Sequence, residues 1–351
     1  MNKTMRVALS PLLLAGLLAG CSAGGSADGR LPTASSSATT VPAAATSPSA
    51  TPDGPAVTLA EAGQEARKIL KADEIIRAFG AESYALAQTA DAQRQVTVAD
   101  FQSTAMRPAR YTWGDPTLLV PRLEAGRYPY WFAAVAERRD AGGTSRTAVL
   151  AFMKSDERSR WQLRSVSLLY PGTKPPAITL DSEGYATALA TRDESVAISP
   201  RLMAPLHATI AEEGPKGYAA QLITAGPQTT GYFAEVQKAQ PAAKRQGLLY
   251  DSIFAATPYP IYALRAAGGG AVIIYSLRRT TSLQGETVSA SGLVPVPKAV
   301  RWAVDHQAAR VARKLRVVET QQYVSQVARK GATDPAKIIA FDGTPTTITV
   351  D

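Results

Sequence analysis

Cys21 is the residue with the strongest intrinsic chemistry, because it is the one cysteine in a chain of 351 residues. A thiolate attacks electrophiles that a hydroxyl leaves alone. Imidazole chemistry is confined to His207 and His306, which lie far apart in sequence. Neither belongs to an H-E-x-x-H pattern. His207 follows Pro205-Leu206 at a predicted helix start, where packing or capping is the preferred role. A serine hydrolase needs a hydroxyl, an imidazole and an acid together. Residues 57–351 contain no G-x-S-x-G elbow and no S-x-x-K. The acid pairs Asp73-Glu74 and Glu212-Glu213 are sequence neighbours. Neighbours on a helix point apart, so neither pair forms a catalytic dyad by itself. Gly268-Gly269-Gly270 lacks the Lys and Ser/Thr of a phosphate loop and is read as a hairpin turn. No catalytic, metal-ligating or cofactor-binding residue is assigned, and no cofactor is expected.

The segment around Cys21 has three parts. Lys3 and Arg6 give a positive start, Val7 to Leu18 is apolar apart from Ser10 and Pro11, and small residues follow. This is the layout of a secretory signal peptide. The apolar stretch falls short of the ~20 residues that a spanning helix requires. Leu18-Ala19-Gly20-Cys21 resembles the lipobox of bacterial lipoproteins. That resemblance implies diacylglycerol (with palmitate as a typical acyl chain) on the Cys21 sulfur, cleavage before Cys21, and a place on the extracytoplasmic face of the cell membrane. One acyl chain contributes ~0.8 kcal/mol per buried methylene, and stable anchoring takes two or more chains.

The organisation that follows is a signal peptide over 1–20, the lipidated Cys and a flexible stalk over 21–56, and α+β domains over 57–195 and 196–351. Ser22 to Ala56 is nearly all Ser, Ala, Thr, Gly and Pro, with no aromatic residue. Such a composition buries too little apolar surface to offset its ordering entropy. It is also the composition of O-glycosylated stalks. The remainder is long enough for two domains of ~150 residues.

In the first of these, Thr58-Leu59-Ala60-Glu61 is a capping box, and Leu70, Ile75, Ile76 and Phe79 recur at helical spacing. A helix to about Phe79 and a second over 81–94 are predicted. Strands are predicted over 111–113, 118–120, 128–138, 148–153 and 161–169, the last with Trp161, Leu163, Ser165, Ser167 and Leu169 alternating on one face. The second repeats the order. Helices over 203–213, 216–225 and 232–246 precede strands over 250–255, 259–266, 271–279, 317–327 and 346–350. Tyr128-Pro129 and Tyr259-Pro260 each lead into a strand and a Gly-Gly turn, which suggests duplication. Helices followed by an antiparallel meander make an α+β fold. Lipobox, stalk and two such halves resemble a group of uncharacterised actinobacterial lipoproteins. The meander resembles the cystatin-like or nuclear-transport-factor-like cone.

Charge narrows the partners. The chain has 38 Lys and Arg against 29 Asp and Glu, or 36 against 29 without Lys3 and Arg6. On an exported protein this scattered surplus points to lipid headgroups or wall polymer, not nucleic acid, or simply to solubility. The run Arg301-Trp302, His306, Arg310, Arg313-Lys314 and Arg316 is either a lipid-facing basic face or a solvated surface, and the second is preferred. Tyr128, Tyr130, Trp131 and Phe132 either line a pocket mouth or fill a core, and again the second is preferred. The expectation is a non-enzymatic, membrane-tethered module that binds a small ligand or an envelope protein. The alternatives are the solute-binding subunit of an importer, which needs repeated β-α units, and a cell-envelope hydrolase.

Overall fold

A computed structural model of the chain describes residues 54–285, 293–304, 310–311 and 313–350. Cys21 and His306 lie outside the described residues.

The first half opens on α1 (Leu59–Phe79). The Thr58 hydroxyl accepts from the Glu61 amide at 3.1 Å, and Gly80 closes the helix with φ 68°. A left-handed C-terminal residue costs Gly little and other residues more. The single helix expected over 81–94 is two: α2 (Glu82–Gln88) and α3 (Asp91–Ser103), broken at Thr89 and Ala90. Thr89 is extended, and Ala90 donates to the Leu163 carbonyl on the sheet at 3.1 Å. Tertiary pairing thus takes the chain out of the helix. Then come β1 (Tyr111–Trp113), β2 (Thr117–Leu119), β3 (Tyr130–Asp140), β4 (Ser145–Lys154) and β5 (Gln162–Leu169).

The second half has α4 (Pro200–Glu213), two 3-10 turns over 214–221, and α5 (Thr230–Lys244). The stretch expected as a helix over 216–225 is therefore only 3-10 turns. Strands β6 (Leu248–Ala256), β7 (Tyr262–Arg265) and β8 (Ala271–Gly285) follow. After the two-residue strands β9 (Val294–Pro295) and β10 (Arg310–Val311) come β11 (Lys314–Val327) and β12 (Lys337–Val350).

Ten strands form one sheet in the order β1-β3-β4-β5-β12-β11-β8-β6, with β2 beside β3 and β7 beside β8. Every strand-to-strand ladder in it is antiparallel. The halves match in wiring. In the first, β1 pairs with the C-terminal end of β3 and β2 with its N-terminal part. In the second, β6 pairs with the C-terminal part of β8 and β7 with its N-terminal end. The Tyr-Pro dipeptides are not equivalent in this wiring, since Tyr128-Pro129 precedes β3 whereas Tyr259-Pro260 precedes β7. The halves meet where β5 pairs with β12, at Leu169 with Ala340 and Leu168 with Phe341. Beside this short ladder the Gln322 amide on β11 donates to Gln93 Oε1 on α3 at 3.1 Å. Its oxygen accepts from the Val166 amide on β5, also at 3.1 Å.

The three largest apolar clusters sit against the sheet. One lies under α1 and includes Phe132, Phe152, Trp161 and Leu150. One lies under α4 and α5 and includes Met203, Ile210, Tyr275 and Tyr323. The third joins residues of both halves, among them Val149, Leu169, Tyr262, Ile274 and Val324. The alternation expected along β5 does not hold. Trp161 and Leu163 belong to the cluster under α1 together with Val166 and Leu168, while Leu169 belongs to the shared cluster. The register of β4 with β5 shifts between Ala151 and Phe152, and such a bulge turns the remaining residues over.

Candidate functional site

The residues expected to fill a core do so. Phe132 is fully buried, stacked on Phe152 at 4.8 Å and beside Trp161 at 5.0 Å. Tyr130 accepts the Gly126 amide at 2.6 Å, and Tyr128 stacks on it at 4.0 Å. Trp131 points to the opposite face, against Tyr262. The acid pairs separate as helix geometry requires. Asp73 takes Arg77 and the Trp113 indole, whereas Glu74 takes Lys71 and the Trp113 amide. Glu212 accepts the Phe254 amide and Glu213 the Tyr218 amide. Gly268 and Gly269 form the turn between β7 and β8 with φ of 85° and 84°.

His207 is buried on α4 and both ring nitrogens are engaged. Nδ1 is 2.8 Å from the Tyr275 hydroxyl and Nε2 is 2.7 Å from the Gln228 carbonyl. Burial pushes its pKa down to about 4, with the Gln228 contact opposing. Around it Tyr323 donates to Gln321 at 2.9 Å, and the Gln321 amide donates to Tyr232 at 3.0 Å. Burial pushes the Tyr275 and Tyr323 hydroxyls well above the ordinary tyrosine range. These groups are interior, with His207, Tyr275 and Tyr323 all buried. Of the basic run, Arg301 donates to the Val296 carbonyl, and Lys314 and Arg316 begin β11.

A cleft of about 430 Å³ lies elsewhere, between α1, α2 and the turn from β4 to β5. Glu61, Glu65 and Lys68 face it from α1 at a spacing of one and two turns. Tyr84 and Gln88 come from α2, and Lys154, Ser159, Arg160 and Trp161 from the sheet side. Trp161 is the buried floor, and its indole donates to Glu61 at 3.2 Å. Lys68 pairs with Glu65 at 3.1 Å. Asp156 holds the turn by accepting the Arg158 and Ser159 amides at 2.9 and 2.8 Å. The Ser159 contacts set its carboxyl below the usual aspartate range.

Two cations in this cleft are left with capacity. Lys154 and Arg160 enter no ion pair among the described residues. Gln88 Oε1 is buried with no hydrogen-bond partner among the described residues, which costs about 1–3 kcal/mol if nothing fills it. Tyr84 stands at the rim, 68% exposed. Two cations and an exposed ring suit a small ligand that carries an anionic group. The i, i+4, i+7 polar face of α1 was available in the sequence. The contribution of Lys154 and Arg160 was not, because only the tertiary fold brings that turn to α1.

Fold and cleft define an α+β protein built on one antiparallel sheet with helices over each half. The chain belongs to the family defined by a domain of unknown function, DUF8094, whose model matches residues 53–348. An uncharacterized lipoprotein of Streptomyces coelicolor is 30% identical over 211 residues, covering 56% of this chain and 57% of that protein. The chain thus matches a little over half the length of this curated relative. No solved structure matches it. Among the described residues, no helix is long and apolar enough to cross a membrane.

Proposed function

We propose that the chain is a lipoprotein, acylated at Cys21 and held on the extracytoplasmic face of the cell membrane, whose folded part binds a small anionic ligand in the cleft between α1, α2 and the β4–β5 turn. Support for the anchor is the signal-peptide layout ending at Leu18-Ala19-Gly20-Cys21, together with a relative that bears the name of a lipoprotein. The observation that carries the binding reading is the pair of cations, Lys154 and Arg160, that share one cleft and enter no ion pair among the described residues. A solute-binding subunit of an importer is disfavoured by the antiparallel ladders, since that fold rests on repeated β-α units.

Two measurements test this. Mass spectrometry of the mature chain is expected to find diacylglycerol on Cys21, and Cys21→Ser is expected to leave the membrane fraction. Thermal-shift titration with sugar phosphates and acidic dipeptides is expected to raise Tm for at least one probe, because a ligand that binds only the folded state stabilises it. The double variant Lys154→Glu, Arg160→Glu is expected to lose that rise. No rise with any probe, or an equal rise in the double variant, sinks the cleft assignment.

A further inference from the structure

At the far end of α1 from the capping box lies a tip that the cleft does not use. Phe79, the last residue of α1, is 82% exposed, and Met106 in the loop after α3 is 42% exposed. Their placement is enforced. Ala105 and Met106 both have positive φ, 51° and 64°, a conformation that costs side-chain-bearing residues about 1–2 kcal/mol each. The loop is held there by the Met106 amide donating to the Phe101 carbonyl at 2.8 Å. It is also packed against Gly80, where any Cβ would stand 2.3 Å from the Met106 carbonyl oxygen. Strain of this kind persists where a fixed arrangement is needed. Here it presents an apolar side chain to solvent.

Between Gly80 and this loop runs a groove of about 370 Å³, with Phe79, Met106, Arg107 and Arg110 on its walls. The buried Arg77 at its base is already neutralised by Asp73 and Asp100, each at 3.0 Å. Arg107 and Arg110 are exposed and enter no ion pair among the described residues. Arg110 reaches the Ala78 carbonyl at 3.1 Å, which fixes its guanidinium beside the helix end. A guanidinium pairs with phosphate oxygens through two parallel hydrogen bonds, which an ammonium cannot do. An apolar pair flanked by free arginines matches one surface above others: phosphate outside, hydrocarbon just beneath.

We infer that the tip formed by Phe79, Met106, Arg107 and Arg110 docks on an anionic phospholipid bilayer, with lipid phosphate in the groove and the two apolar side chains among the upper acyl carbons. This contact is separate from the Cys21 anchor and does not rest on the ligand cleft.

The test places a reporter at the tip. Full-length Phe79→Trp is mixed with vesicles of phosphatidylglycerol, or of phosphatidylcholine, whose acyl chains carry bromine as a quencher. Emission from the indole introduced at position 79, taken against the unaltered chain, is expected to shift blue and be quenched with phosphatidylglycerol only. The loss of emission is expected to reverse at 1 M salt, where screening contracts to ~3 Å. It is also expected to vanish when Arg107→Glu and Arg110→Glu are added. Tyr218→Trp, at a position 77% exposed on the other half, serves as the control and stays unquenched. Phe79 is mostly in water, so the reporter leaves the core intact. Equal quenching with both lipids, quenching of the Tyr218→Trp control as well, or no quenching of the Phe79→Trp reporter overturns the proposal, whereas flotation of the chain with the vesicles reports on the anchor alone.

Discussion

The two halves carry the same order of helices and strands, yet they fill the space beneath their helices differently. Under α1 the cluster is hydrocarbon and stacked rings, Phe132 on Phe152 beside Trp161. Under α4 and α5 His207 bonds to Tyr275, and Tyr323, Gln321 and Tyr232 bond among themselves, the two sets packed ring against ring in the middle of the layer. The shape of a layer therefore leaves its chemistry open. Packed rings stabilise through area and fit, with no dependence on pH. A satisfied polar network stabilises only while each member keeps its protonation state, and an orphaned member costs more than the bond it made.

The largest expected effect breaks the apolar side. Phe132→Ala should lower stability by about 3–5 kcal/mol, equally at pH 7 and pH 5, in urea unfolding. Next comes acid. His207 is neutral in the fold with a pKa of about 4, below the ordinary 6.5, so its contribution is complete above about 6.5. It is lost as pH falls towards 4, by about 3 kcal/mol in all. Hydrogen exchange should show α4 and α5 loosening in that window before α1 does, and His207→Phe should flatten the dependence. If both halves open together, the contrast drawn above is wrong. The same network should fail in alkali, since the raised tyrosine pKa values mean stability falls as pH rises past about 10. Tyr323→Phe should cost about 1–3 kcal/mol by leaving Gln321 Oε1 without its donor. The smallest effect sharpens the helix that both the cleft and the tip depend on. Thr58→Ala should cost about 1 kcal/mol through loss of the cap.

Local signals in the sequence read well. The Thr58 cap and the end of α1 near Phe79 are where spacing puts them, and so are the hairpin turns at 141–143 and 268–270. What failed was long-range. The break between α2 and α3 is made by Ala90 pairing with Leu163, and no residue near 89 announces it. Alternation in β5 fails at a bulge where Arg164 is the extra residue, so Ser165 and Ser167 share no face with Trp161. The length of β12 was underread, 346–350 against Lys337–Val350, because Gly343 and Pro345 look like breakers on paper. The cleft was invisible for a related reason. Its two cations, Lys154 and Arg160, stand at the end of β4 and in the turn after it, and only the tertiary fold sets them beside α1 and α2.

The junction of the halves has one more consequence. β5 and β12 are the last strands of their respective halves, and they meet antiparallel. Two equivalent strands laid side by side in opposite directions are what a two-fold axis produces. A single gene product of half this length, with the same wiring, could make that junction with a copy of itself. Within that matching frame the two sides are furnished differently, one with rings and a cleft, the other with tyrosines around an imidazole.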